Sequence, residues 1–152
     1  MFKKVLVPLD GSDTAEQALD YLGHLAVTEK DATIVLLNVV EPVLHIAKDY
    51  TMAEEAQQEE SEREKQARKY LNNTANNILK EGKAGKVKTI IDVSLGDAAE
   101  EILNYAEDEN VDAIVMTTYG RSASSRWRLS SVTSRVVSHS KVPVLTVPPI
   151  LG

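Results

Sequence analysis

Residues 113–147, AIVMTTYGRSASSRWRLSSVTSRVVSHSKVPVLTV, constrain the fold more than any other stretch. Ala113 to Met116 is a short apolar run with β-prone Ile114 and Val115, the pattern of a strand covered on both faces. Thr117, Thr118, Tyr119 and Gly120 follow, then a loop of Ser, Ala and Arg to about Leu129. Ser130 and Ser131 open a helix, and either hydroxyl suits the N-cap. Lys141-Val142-Pro143 leads into a last strand, Val142 to Val147, which Pro148-Pro149 closes. A strand that ends in small residues and runs into a helix presents free backbone N–H groups, a place suited to an anion, phosphate above all.

Charge agrees with that placement. From Ala113 to Gly152 there is no Asp or Glu, while Arg121, Arg126, Arg128, Arg135 and Lys141 give a net of +5. Residues 1–112 hold 12 basic and 23 acidic groups, a net of −11. Positive charge thus gathers where a phosphate site is expected. The whole chain, at −6, argues against wholesale binding to nucleic acid or an anionic membrane. With no Cys, the chain has no disulfide, thiolate metal site or Cys nucleophile. The apolar run in MFKKVLVPLDGS is far too short for a signal peptide or a membrane span, and a cytoplasmic location is expected. The 152 residues suffice for one domain, 1–152, with a real core.

The rest of the chain repeats the strand-and-helix alternation. Lys4 to Asp10 is a first strand, buried and parallel, with Pro8 near its end stopping the ladder there, and Asp10-Gly11-Ser12 makes a tight turn. Ser12 or Asp13 caps a first helix, with Glu16 placed to pair with Asp13. Ala15, Ala18, Leu19, Leu22, Leu25 and Ala26 give that helix an apolar stripe. Thr33 to Val40 is a second strand, ended by Glu41-Pro42. Residues 54–69 are crowded with Glu, Gln, Lys and Arg. A stripe returns after Ala67 at Leu71, Ala75, Ile78 and Leu79, so the pattern predicts one long helix over 53–81 with an exposed or mobile first half, ended by Gly82 and Gly85. Val87 to Val93 is a third strand. Asp97 then caps a helix with Glu100 three residues on, and Ala99, Ile102, Leu103 and Ala106 are its buried face.

Five strands and four helices in alternation imply a parallel, doubly wound sheet with right-handed crossovers. Ligands of such sheets bind beyond the carboxyl ends of the strands, where strand order reverses. The loops concerned are Leu9–Ser12, Val39–Pro42 and Thr117–Ser131. Other chemistry lacks its pattern: there is no phosphate-binding G-x-x-x-x-G-K-[ST], no G-x-G-x-x-G and no G-x-S-x-G. His24, His45 and His139 form no cluster with metal spacing, and His139 near a helix end reads as structural. Trp127 reads as a loop anchor or a contact with a partner chain.

The segments VLVPLDGS, SLGDAAEEIL and DAIVMTTYGRS…RLSSVTSRVVSHSKVPVLTVPP, in this order along the whole chain, resemble a universal stress protein. The resemblance implies an α/β fold with strand order 3-2-1-4-5, adenine nucleotide alpha hydrolase-like, in three α/β/α layers. It further implies a cytoplasmic stress-response homodimer joined through fifth strands. The ligand it implies is ATP, ADP or AMP, with Mg2+ as an accompanying cation. The family's loop pattern is Gly, two residues, Gly, nine residues, Gly, then Ser or Thr. Here those places hold Thr117, Gly120, Ser130 and Ser131, so one glycine of three is kept together with the hydroxyl. Thr117 and Ser130 are therefore expected to crowd the phosphates or to resist the backbone conformation that glycine allows.

The other implied contacts follow the family position by position. Pro8 and Leu9 line the base pocket, Asp10 meets ribose or adenine, and the backbone of Val39 reads adenine. Gly120 and Arg121 touch phosphate or ribose, and Ser131, Val132 and Thr133 cap phosphates. Arg126 and Arg128 are within chain reach of phosphate from the loop, though no spacing in the pattern fixes them. Val142, Val144 and Thr146 carry the dimer edge. No general base is placed to activate water, so ATP hydrolysis is expected to be slow if present at all. One alternative is a nucleotide-free dimer acting through protein partners. A remoter one is a phospho-acceptor receiver domain built on Asp10, Asp13, Asp92, Thr117 and Lys141. In that domain Lys141 would have to follow the last strand and Asp92 to end the third, and neither does.

Overall fold

The computed structural model describes residues 2–25, 31–42, 50–81, 88–118 and 130–149. Five strands, β1 (Lys4–Pro8), β2 (Thr33–Val40), β3 (Lys88–Leu95), β4 (Ala113–Thr117) and β5 (Val144–Val147), form one parallel sheet in the order β3-β2-β1-β4-β5. The helices are α1 (Asp13–Glu16), running into a 3-10 helix (Gln17–Leu25), then α2 (Tyr50–Glu81), α3 (Ala98–Asp108) and α4 (Ser131–His139). None is long and apolar enough to cross a membrane.

Side-chain alternation along the strands sorts the core into two layers. Val5, Val7, Leu9, Ile34 and Leu36 join α1, the 3-10 helix and α2 in one cluster. Leu6, Val35, Leu37 and Ile114 join α3 and α4 in the other. The central strands are apolar nearly throughout because both of their faces are covered, with Asn38 the one polar residue inside the run of β2. Chain direction then fixes the helices: β1 and β2 each lead outward to the left-hand neighbour, β3 and β4 to the right, and right-handed crossovers send the two pairs of helices to opposite faces.

Several expected boundaries move. The first helix begins as expected, but its N-cap is Ser12, whose hydroxyl accepts from the Ala15 amide at 3.1 Å, so Asp13 and Glu16 do not form the capping pair. Its α-geometry lasts four residues and tightens to 3-10 from Gln17, where Asp20, Tyr21 and Gly23 are weak helix formers. Ala15, Ala18, Leu19 and Leu22 still bury the expected stripe, while Ala26 lies outside the described residues. The long helix starts at Tyr50, and its buried positions Ala67, Leu71, Thr74 and Ile78 keep one face on the sheet. Gly82, Gly85 and Val87 lie outside the described residues, as does the side chain of Leu79. Asp97 caps α3 as expected, accepting from the Glu100 amide at 3.0 Å.

The last strand is Val144–Val147, and Val142 is not part of it. Ser140 is the reason. Its hydroxyl accepts from the Val142 amide at 3.1 Å and donates to the Val142 carbonyl at 2.8 Å. Both main-chain groups of Val142 are therefore engaged before the strand begins. Val142 therefore stands outside the strand whose edge it was expected to share with Val144 and Thr146.

Candidate functional site

Two neighbouring strands in the middle of the sheet, β1 and β4, send their chains to opposite sides, which makes the crevice between their carboxyl ends the switch point. Proline widens it. Thr33 donates to the Lys3 carbonyl and Leu9 to the Leu37 carbonyl, so the odd residues of this segment bond toward β2. By alternation the even residues bond toward β4, as the Asp112 amide on the Lys4 carbonyl shows. Pro8 is even and has no N–H. Register between β1 and β4 accordingly runs only over Val5–Ala113 and Leu6–Ile114, whereas β1 stays paired with β2 up to Pro8. The two central strands part at the end where the loops gather.

On the β1 side the turn is tied internally. Asp10 Oδ1 accepts from the Ser12 amide at 2.9 Å and from the Ser12 hydroxyl at 2.5 Å. Gly11 between them has φ 91°, a left-handed conformation open to glycine and costly for most side chains. Asp10 thus shapes the turn and Ser12 caps the helix. Leu9 is buried, and its carbonyl accepts from Asn38 Nδ2 at 2.8 Å. Asn38 is a structural member of the site floor that the sequence reading passed over. Its signal is an amide set inside the apolar run TIVLLNVV, a place it holds only because it has a partner. Val39 is half-buried, beside Ser94 of β3 and packed over the α3 and α4 layer.

On the β4 side the loop is closed at its neck. The Thr118 amide donates to the Val147 carbonyl at 3.0 Å, and the Ser130 amide to the Thr118 carbonyl at 2.8 Å. Ser130 is the N-cap of α4, its hydroxyl accepting from the Thr133 amide at 3.0 Å. The same hydroxyl donates to Thr133 Oγ1 at 2.8 Å, and Thr133 Oγ1 donates to the Thr117 carbonyl at 3.0 Å. Thr117 and Thr133 are both buried. These bonds hold the strand end against the helix start. They also commit the hydroxyl and amide of Thr133 within the protein, leaving the Ser131 and Val132 amides as first-turn donors without a partner among the described residues. Ser131 is exposed and Val132 half-buried.

The two replaced glycines stand in ordinary backbone. Thr117 ends a strand in register with Val147, and Ser130 has φ −60° and ψ 158°. Neither place uses the left-handed region, so the departure from glycine costs space and not conformation. Gly120, Arg121, Arg126, Trp127 and Arg128 lie outside the described residues. Two of the five cations counted in the carboxyl-terminal segment serve elsewhere. Arg135 Nη1 lies 3.1 and 2.9 Å from the two oxygens of Asp97, at the start of α3. The Glu100 amide first, and Arg135 next, hold the Asp97 carboxyl below its usual range. Lys141 precedes β5 and pairs with Glu107 at 2.9 Å. Asp92 lies within β3, so neither residue occupies a receiver-domain position. His139 ends α4 with Nδ1 3.0 Å from the Arg135 carbonyl, a structural contact.

A cavity of about 380 Å3 opens at the opposite end of the sheet, between the ends of α3 and α4, floored by Leu103, Ala106 and Val111. Its charges are engaged with one another, Lys141 with Glu107, and Asp112 with the Lys3 and Lys4 amides. Among the described residues no group of three or more His, Asp or Glu is placed to hold a metal ion.

Comparison with known proteins bears on this geometry directly. The model of the universal stress protein family matches residues 1–148. The universal stress protein MJ0577 of Methanocaldococcus jannaschii is 36% identical, over 97% of this chain and 95% of its own. The solved structure of MJ0577, whose subject was the assignment of its biochemical function from structure, superposes with a TM-score of 0.76 at 30% identity, over 100% of this chain and 99% of that one. A universal stress protein in complex with cAMP shares the fold at 22% identity and a TM-score of 0.65, covering 97% of both chains. So does an Arabidopsis thaliana family member with AMP bound, at 19% identity and a TM-score of 0.64, over 97% of this chain and 92% of that one.

Proposed function

The chain belongs to the universal stress protein family, and we propose that it binds an adenine nucleotide, ATP, ADP or AMP, in the crevice beyond β1, β2 and β4. The observation that carries this reading is the parting of β1 from β4 after Leu6, with Asp10 on one lip and the first turn of α4 on the other. Two proteins of the same fold, one with cAMP and one with AMP, support it. Pro8, Leu9, Asp10 and the Val39 backbone form the base-and-ribose side. The Ser131 and Val132 amides, at the positive end of a nine-residue helix, form the phosphate side, with Gly120 and Arg121 joining them from the loop. Ser130, Thr133 and Thr117 hold that side in place. Any Mg2+ travels with the phosphates.

Titration calorimetry with ATP, ADP and AMP tests the reading. Heat with at least one of them at millimolar ligand or below is the expected result. No heat from demonstrably folded protein rejects it and leaves a nucleotide-free dimer acting through protein partners. Because Ser130 differs from glycine there in bulk and not in backbone conformation, Ser130→Gly is expected to tighten ATP binding more than AMP binding, at a few tenths of a kcal/mol in helix capping.

The same reading makes the protein a cytoplasmic homodimer joined through β5. The Ile114 amide donates to the Pro143 carbonyl and Thr118 to Val147, so odd residues of β5 bond toward β4 and the outward ones are Val144 and Thr146. With Val142 engaged by Ser140 and Pro148 lacking an N–H, a two-fold pairing that uses every outward group sets Val144 against Thr146 of the second copy. Leu145 then lies on the axis.

A further inference from the structure

Two helices start at the carboxyl end of the sheet on the same face, α3 after β3 and α4 after β4, and both turn their positive ends that way. Their first turns differ. That of α3 is filled by its own carboxylates: Asp97 caps it, Glu100 and Glu101 follow, and Glu101 Oε1 lies 2.6 Å from where a Cβ on Gly96 would stand. That of α4 holds no acidic residue and offers the Ser131 and Val132 amides.

One residue joins the two starts. Arg135 stands one turn past Ser131 on the same exposed face of α4, about 6 Å along the axis. Its Nη1 reaches both oxygens of Asp97, at 3.1 and 2.9 Å. Both side chains are half-exposed, so the pair adds little to stability. A charge one turn from the open amides is still felt there, since screening at physiological salt sets in over roughly 8 Å. Arg135 is the one Lys or Arg in α4, and Asp97 neutralises it.

We propose that this pair tunes the site by phosphate number. Asp97 cancels the one charge on α4 that would draw a polyphosphate, so the pair holds back ATP more than AMP and does not act on adenosine. Asp97 and Arg135 set the field at the first turn of α4 without touching the ligand. The inference rests on the nucleotide reading above and adds α3 to the elements that shape selectivity.

Calorimetry with ATP, AMP and adenosine on the wild type, Asp97→Asn, Arg135→Gln and the double variant tests it, beside urea unfolding. Asn caps a helix about as well as Asp, so all four proteins are expected to unfold near the same midpoint. Asp97→Asn releases Arg135 and is expected to tighten ATP about three- to tenfold, AMP about twofold and adenosine not at all. Arg135→Gln leaves Asp97 charged, because the Glu100 amide is the larger hold on that carboxylate, and is expected to weaken ATP and AMP in the same order. The double variant returns near wild type, and added salt shrinks every difference. Shifts of the same sign in the two single variants, shifts of equal size for ATP and adenosine, or unchanged affinities would each overturn the proposal and leave a structural ion pair. Absence of heat with the wild type for every nucleotide rejects the nucleotide reading and this tuning with it. Heat with the wild type and ungraded variants rejects the tuning alone.

Discussion

The two edges of the sheet are built to opposite ends. At one edge, β3 offers eight residues, and since Lys88 and Gly96 donate to β2, its outward groups are those of Thr89, Ile91, Val93 and Leu95. So long an edge is a ready template for a foreign strand. It is blocked near its middle. Asp92 Oδ1 takes the outward Val93 amide at 2.9 Å, and the Tyr105 phenol of α3, pushed up to about 12 by burial and then by Asp92, stands beside that carboxylate. At the other edge, β5 offers four residues and, among the described residues, no side-chain block after Val142. Leu145 there is 38% exposed and Val137 of the adjoining α4 is 43% exposed. Among the described residues the short edge is the open one, and the long edge carries a charge bent onto its own backbone. If the proposed pairing through β5 holds, the occupancy of the outward amides, and not edge length, selects the edge that pairs.

The contrast can be broken most forcefully at Leu145. Leu145→Lys sets two like charges on the expected two-fold axis, and its dimer constant should weaken by more than about tenfold. Sedimentation analysis should find monomer at micromolar concentration where the wild type is dimeric. A monomeric wild type, or a variant that stays dimeric, would remove β5 as the pairing edge.

A smaller effect is expected at the guarded edge. Asp92→Ala frees the Val93 amide, and slow growth of larger assemblies by light scattering should follow while the dimer at β5 persists. The same variant should lower the Tyr105 ionisation, because the carboxylate that opposes phenolate is gone. The phenol's raised pKa adds stability that is complete below about pH 10, its unfolded range, and is lost as pH rises through 12, so removing Asp92 narrows that window. An assembly state indifferent to Asp92 would show that the block is incidental.

The smallest change tests the register. Ser140→Ala releases both main-chain groups of Val142 and should cost about 0.5–1.5 kcal/mol in urea unfolding. The dimer constant should not change, because Val142 takes no part in the pairing centred on Leu145. A tighter dimer would mean that Val142 joins the interface when released.

Much of the fold was legible because periodicity alone carries it. The uninterrupted runs at Val5–Val7, Ile34–Leu37 and Ala113–Met116 can only be strands covered twice, and the alternation with helices then leaves a doubly wound sheet. Asp97 was readable as a cap because a side chain capping its own helix needs no distant partner. The site was less legible. Asp10, Ser130 and Thr133 were found by position along the chain, but their partners were not. Nothing local tells that Thr133 reaches the Thr117 carbonyl or that Arg135 turns to Asp97 instead of to a phosphate, whereas the turn by which Ser140 withdraws Val142 from the sheet is local and was passed over. The count of positive charge overstated the attraction at the site for the same reason: a formal charge is visible in a sequence, its counter-ion is not.

By itself, then, the sequence determined the order of the elements, the handedness of their connections and the end of the sheet where a ligand belongs, since these follow from side-chain period and L-chirality. Tertiary structure decided where β1 and β4 separate, how the hydroxyls at the strand ends are paired and which edge is open among the described residues. Those depend on the direction of individual N–H and O–H groups after packing, some settled by a neighbour distant along the chain, as Pro8 is against β4 and Thr133 on the Thr117 carbonyl, and some by the next residue, as Asp92 is on the outward Val93 amide.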